Sequence, residues 1–280
     1  MNGRVFYWLG GETGYEGVWS RGYNWAGESG APGSGPGGGY PDQVGDIAII
    51  DDNSDYNISS LGTNITIAAL INLSEGTYYF GATDSTLTVG GMIVAGIYGK
   101  NSGNVTGSAI FSGQGSINEA TITGSAIFSG SSTGNDGSVE DAIFSGPNSE
   151  NWWNVDGNAI FSGAWSHNSD ASFGGFVDYS AIFSGSNSRN TGIVGNNSSS
   201  AAMVLSGSGA ENLGSCPILI ASGSGVANGG SVTDACIVLV GSTFTNVDTI
   251  LGTLLPLTTF TNSGTLSGKK PLDVLSTGLF

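Results

Sequence analysis

The chain has 280 residues, 49 of them glycine, with Ser and Asn abundant but no Gly-X-Y period, which excludes collagen. Six Lys and Arg stand against 22 Asp and Glu, for a net charge of −16. So few cations cannot neutralise phosphates, so nucleic acid and anionic membranes are excluded as partners, and no run of about 18 apolar residues marks a span.

In chain order, residues 1–46 are aromatic and Gly-rich, with Trp8, Trp19, Trp25, Tyr7, Tyr15, Tyr23 and Tyr40. The end of a repeat array exposes apolar surface, so this segment is expected to form a terminal cap. The opening Met-Asn-Gly-Arg-Val-Phe-Tyr-Trp has no apolar h-region and does not read as a signal peptide. That fits a surface protein released by lysis or by a dedicated machine. Residues 47–91 read as irregular strands, Ile47–Ile50, Ile65–Leu73, Tyr78–Phe80 and Leu87–Val89. Between the first two, Asp51, Asp52 and Asp55 are spaced for Ca²⁺ ligation but lack the Gly and distal Glu of an EF-hand loop, so a solvated turn is the primary reading.

The regular array follows. Ala-Ile-Phe-Ser-Gly occurs at Ala109–Gly113, Ala126–Gly130, Ala142–Gly146, Ala159–Gly163 and Ala181–Gly185, at spacings of 17, 16, 17 and 22. Val105, Ile122, Val155 and Val177 lie four residues ahead of the Ala, and Val139 three ahead. Looser copies are Met92–Gly96, Met203–Gly207, Leu219–Gly223 and Ile237–Gly241. A verbatim apolar string at this period predicts an all-β fold, a right-handed parallel β-solenoid (β-helix) with short rungs of about 16–22 residues over 47–245. Strand alternation places Val, Ala and Phe inside. It leaves Ile110, Ile127, Ile143, Ile160 and Ile182 as an outward apolar stripe, the candidate oligomer interface of a homotrimer. A stripe covered by a loop, or facing inward with Phe outside, is the alternative. Thr does not recur at one position through the array, which disfavours an ice-binding solenoid.

Trp152, Trp153 and Trp165, with Phe173, Phe176 and Tyr179, lie in loops between these strings. They form either a glycan-binding shelf, Trp152, Trp153 and Trp165 being the contacts, or a lid folded back over the array. His167, the single histidine, falls in a Trp-Ser-His-Asn-Ser stretch that reads as a surface loop and supports neither a Ser-His-Asp triad nor a zinc site. Glu140, Asp141, Glu150 and Asp156 would be the acids of a glycosidase if neighbouring rungs brought them together, but no pair stands out by spacing. The chain is therefore not read as an enzyme. Aligning Ile218–Ala221 with Ile237–Val240 puts Cys216 and Cys236 one position out of register, which predicts two free thiols. The six Asn-x-Ser/Thr sequons are what this composition gives by chance. Residues 246–280 lose the period and read as an irregular cap or docking tail holding Lys269 and Lys270.

The opening resembles a known pattern. Trp8-Leu9-Gly10-Gly11, Trp19, Asn24-Trp25, Pro41 and Gly45-Asp46-Ile47-Ala48-Ile49-Ile50 resemble the opening of repeat-rich surface proteins of bacteria and their phages, and the Ala-Ile-Phe-Ser-Gly strings resemble the coils of fibre-like virion proteins. The resemblance spans roughly residues 5 to 245 and carries over no catalytic residue. It implies a β-solenoid on the virion surface, a fibre or decoration protein touching other virion proteins and host polysaccharide. A bacterial cell-surface adhesin and a tailspike glycosidase are the alternatives. No cofactor is expected.

Overall fold

The computed structural model describes residues 4–10, 14, 16–27, 35, 39–51, 58–73, 79–80, 87–169, 175–195, 201–238, 244–251, 253–256 and 260–267. The chain is all-β, with one 3-10 turn at Gly22–Asn24, and it divides into two compact units, Met1–Glu140 and Asp141–Phe280.

In the first unit, Val5–Trp8, Ile47–Ile50, Ile65–Asn72, Leu87–Val94 and Val105–Phe111 pair in parallel, and Ile122–Thr123 and Ala126–Phe128 continue the last of them. A second parallel sheet holds Tyr79–Phe80, Lys100–Asn101, Ile117–Asn118 and Gly134–Asn135. The second unit repeats the scheme. Ala142–Phe144, Ala159–Phe161, Ala181–Phe183, Ala202–Leu205, Ser215–Ala221 and Ser231–Val238 follow one another in register. Its other sheet runs from Glu150–Asn151 to Phe260–Asn262.

The repeated string does what its alternation requires. Ala and Phe of every copy are buried and the Ile between them faces out. Phe111 stacks on Phe128 at 4.9 Å between ring centroids; Phe161 lies between Phe144 and Phe183 at 4.7 and 4.5 Å with rings nearly parallel. Register holds like over like because each ring is buried against its copy one strand spacing away. The preceding Val or Ile is also buried in each case, Val139 included. Parity does not decide that position. Val105 shares one strand with Ala109, but in the later repeats the two lie on separate segments, and a connection of two residues (Glu140, Asp141) serves as well as one of three.

The polar half of each repeat is as regular. Asn101, Asn118 and Asn135 in the first unit, and Asn151, Asn168, Asn190, Asn212, Asn228 and Asn246 in the second, are wholly buried. Within each unit the amide donates to the next Asn Oδ1 at 2.7–2.9 Å, from Asn101 to Asn118 to Asn135 in the first and from Asn151 through to Asn262 in the second. Most also donate to a carbonyl two residues on, such as Asn151 to Trp153 O at 2.8 Å and Asn228 to Gly230 O at 2.8 Å. A buried amide without partners would be costly, and here every repeat satisfies its neighbour. The Ser-Gly corner is equally constrained. A Cβ on Gly163, Gly185 or Gly207 would sit 2.0 Å from the glycine carbonyl oxygen of the repeat before it.

Two boundaries differ from the sequence reading. Parallel pairing passes residue 245: Leu254, Leu255 and Pro256 partner Cys236, Ile237 and Val238, and Ile250 partners Leu266. The strings there lack Phe and so escape the pattern. The cysteine alignment is also corrected. Ile220, not Ile218, is the partner of Ile237, so Cys236 pairs with Leu219, three residues from Cys216 rather than one out of register. Cys216 is buried.

At the start of the first unit, Trp8, Trp19 and Trp25 are fully buried and meet edge to face at 4.9 and 4.6 Å. The Trp19 indole donates to Pro41 O at 2.8 Å and that of Trp25 to Trp19 O at 2.7 Å. Asp46, 1% exposed, accepts from Arg4 Nε at 2.8 Å and from the N–H groups of Asp42 and Gln43. Burial pushes its carboxyl up, but Arg4 and these N–H groups outweigh that and hold it below the usual range. The Trp, Pro and Asp residues of the opening motif thus build one cluster. The short antiparallel partner Trp25–Ala26 covers the free edge of Val5–Trp8.

Candidate functional site

With the inside taken up by stacking, function has to be carried by outward positions, and these fall into columns. The first is aliphatic. In unit one Ile49, Ile71, Ile93, Ile110 and Ile127 are successive partners, and in unit two Ile143, Ile160, Ile182, Val204 and Ile220. Ile110, Ile143, Ile160 and Ile182 are 37–40% exposed, and Ile127 is half-buried. Both runs are longer than the repeated strings indicate, because Ile71 in the first and Val204 and Ile220 in the second lie in divergent copies. Beside the run in the second unit lies a row of serines, among them Ser145, Ser162, Ser184 and Ser206. Thr66, Thr88, Thr106 and Thr123 also stack in the first unit, a short outward Thr column that the irregular spacing hides.

The second column is the turn after the Ser-Gly corner. Its fourth residue past the buried Phe position is left-handed in every described repeat: Tyr98, Gly115 and Ser132 in unit one, Asn148, Trp165, Asn187, Gly209 and Gly225 in unit two. Gly and Asn suit that conformation, and a bulky ring does not. Trp165 has φ 61° and is 60% exposed. Tyr98 lies over Gly115, where an added Cβ would fall 2.5 Å from its ring. Trp153, 49% exposed, and half-buried Trp152 sit at the opposite corner, after the buried Asn151. The Trp153 carbonyl accepts from Phe176 N at 3.1 Å. The three tryptophans grouped by sequence therefore occupy two corners, with Trp165 at one and Trp152 and Trp153 at the other. Phe173 lies outside the described residues; Phe176 is half-buried and Tyr179 exposed.

The third column is polar and flanks the buried asparagines: Glu150, His167, Arg189 and Glu211 are successive partners. His167 is on a strand, not in a loop. Its Nδ1 is 2.9 Å from Glu150 Oε1 and its Nε2 2.8 Å from Thr191 Oγ1. This carboxylate–imidazole–hydroxyl line has the connectivity of a triad. Thr191 Oγ1, however, also donates to Asn168 O at 3.1 Å, and the N–H groups of Thr191 and Ile193 are spent on carbonyls. The line ties three successive repeats together and prepares no nucleophile. Arg189 Nε pairs with Glu211 at 3.2 Å.

The acids weighed for glycosidase chemistry do not converge. Asp141 accepts from Asn158 N at 2.7 Å, Glu150 holds His167, and Asp156 is bonded by Asn154 at a third position of the repeat. Glu140 is exposed in the first unit. Burial, then the neighbouring Asp178, pushes the Asp156 carboxyl up against the hydrogen bond from Asn154. Asp52 and Asp55 of the calcium reading lie outside the described residues, and among the described residues no three His, Cys, Asp or Glu gather as metal ligands. No protein-family model, curated protein or solved structure matches this chain.

Proposed function

We propose that the paired parallel sheets close as a right-handed β-solenoid and that the chain is a structural protein of a bacteriophage virion, a fibre or decoration protein working as a homotrimer. The observation that carries this reading is the outward aliphatic column. A residue about two-fifths exposed gains roughly 0.5–1 kcal/mol when that area is covered. The five positions so exposed, Ile93, Ile110, Ile143, Ile160 and Ile182, contribute on the order of 2.5–5 kcal/mol per chain, which reaches the lower end of the 4–15 kcal/mol that association costs, and half-buried Ile49, Ile71, Ile127, Val204 and Ile220 add less each. An aliphatic column on each unit suits a closed bundle, with copies meeting along these columns and the acidic loops left in water.

Ile143→Asp tests the assembly, since an unpaired carboxylate cannot be buried in an apolar seam. Sedimentation should show wild-type trimers and folded variant monomers. A wild type that sediments as a monomer removes the interface. Mass spectrometry of purified virions tests the location; absence of the chain there favours the adhesin alternative.

A further inference from the structure

The turn column points to a ligand site that the interface does not use. Trp165 occupies a left-handed position at which the unit's other repeats place Asn148, Asn187, Gly209 and Gly225. A bulky residue there strains the backbone, and 60% of Trp165 is exposed, so the ring recovers little by burial. Strain retained without packing suggests that the exposed ring is itself what is needed. The surroundings narrow its use. Asn148 and Asn187 lie one repeat to either side, at about the 4.8 Å spacing of parallel strands, and offer neutral amide donors and acceptors. Register is held by backbone bonds, Asn148 N to Ala164 O at 2.9 Å and Trp165 N to Ser186 O at 2.8 Å. The second unit's turn residues carry no charge, while the chain as a whole carries −16.

A flat indole between two amides, on an acidic molecule, is chemistry for a neutral sugar ring: the aromatic face takes the C–H face and the amides take hydroxyls. Anionic sugars would be repelled. The geometry points to Trp165, with Asn148 and Asn187, as a binding site for neutral glycan, separate from the corner that holds Trp152 and Trp153. This rests on the chain being exposed at a surface, but it is tested on the purified protein.

The full chain is titrated calorimetrically with neutral gluco-, xylo- and N-acetylglucosamine oligosaccharides, and with oligogalacturonate as the anionic counterpart. At least one neutral oligomer should bind in the millimolar range or tighter, and oligogalacturonate should not. Trp165→Asn restores a residue suited to the turn. It should raise the melting temperature while weakening binding about tenfold or more, the scale of one aromatic contact. Asn148→Ala and Asn187→Ala should weaken binding, and Trp153→Ala should leave it unchanged. A fall in melting temperature for Trp165→Asn makes the ring structural and overturns the assignment. So does binding unchanged by Trp165→Asn, binding lost equally in Trp153→Ala, or no binding by any neutral oligomer. Sedimentation and virion mass spectrometry judge the proposed function independently of these results.

Discussion

Asn168 sits in the interior of the second unit's asparagine column, and its removal should cost far more than removal of the last member. Its Oδ1 accepts from Asn151 at 2.9 Å, and its amide donates to Asn190 at 2.8 Å and to Gly175 O at 3.0 Å. Asn168→Ala strands the Oδ1 of Asn190, in a fully buried side chain, and takes one acceptor from the Asn151 amide, which keeps Trp153 O at 2.8 Å and Phe176 O at 3.4 Å. Gly175 O keeps the N–H of Ile193. One stranded group at about 1–3 kcal/mol, with the hydrogen bonds lost at about 1 kcal/mol each, predicts a loss of about 3 kcal/mol. Asn262 accepts from Asn246 at 2.7 Å but is exposed, so water replaces it, and Asn262→Ala should cost less than about 1 kcal/mol. Urea titration followed by circular dichroism reads both, with the variants compared at unchanged m. Equal losses at the two positions, or an Asn168→Ala within about 0.5 kcal/mol of wild type, would refute the reasoning, since a surface substitution does no more than that.

Phe161→Ala opens a cavity between Phe144 and Phe183 and should destabilise by about 3–5 kcal/mol in the same titration. Gly185→Ala forces a Cβ to 2.0 Å from Gly163 O, so it should lower the melting temperature more than an Ala placed at Gly225, where nothing lies within 4 Å. Asp46 has a depressed pKa in the folded chain, so its contribution is present above the unfolded value and is lost as pH falls through the folded one. Acid titration should therefore unfold the wild type with a proton uptake that Asp46→Asn lacks. Asp156 is raised, so its ionisation opposes folding once pH exceeds the folded value. Asp156→Asn should then stabilise the protein at neutral pH, by less than about 1 kcal/mol after solvent screening, and not at pH below the unfolded value.

Much of this architecture is legible in the sequence because stacking forces identity. Phe on Phe and Gly on Gly tolerate little else, so Ala-Ile-Phe-Ser-Gly repeats verbatim and its alternation gives the inside correctly. The asparagine column was equally open to reading. Asn118, Asn135, Asn151, Asn168 and Asn190 each lie seven residues after the Phe of their string. Asn reads locally as a turn former, and a two-residue strand shows no alternation, so the spacing alone carried the signal. The cysteine register failed because two apolar strings can be aligned at several offsets: Ile218–Ala221 pairs with Ala235–Val238, 17 residues on, and not with Ile237–Val240, 19 on. The aromatic residues failed as a group because sequence proximity does not say which corner of a repeat a loop leaves. That depends on whether it precedes or follows the buried Asn.

This difference between fixed and free columns also says where function can be encoded. A position whose side chain stacks on its own copy, such as Phe161 or Asn168, has little freedom to change, and its identity reports the fold. The column Glu150, His167, Arg189 and Glu211 changes at every step, but Glu150 is matched by His167 and Arg189 by Glu211, so it reports cohesion between repeats. The aliphatic column is uniform yet outward, a uniformity that internal stacking does not require and that a second surface would use. Trp165 is the opposite case, a departure from Gly and Asn at a site where the backbone penalises it. Neither feature follows from building the repeats. The outward aliphatic residues and Trp165, with Tyr98 at the same turn position of the first unit, are where the sequence departs from what stacking alone requires.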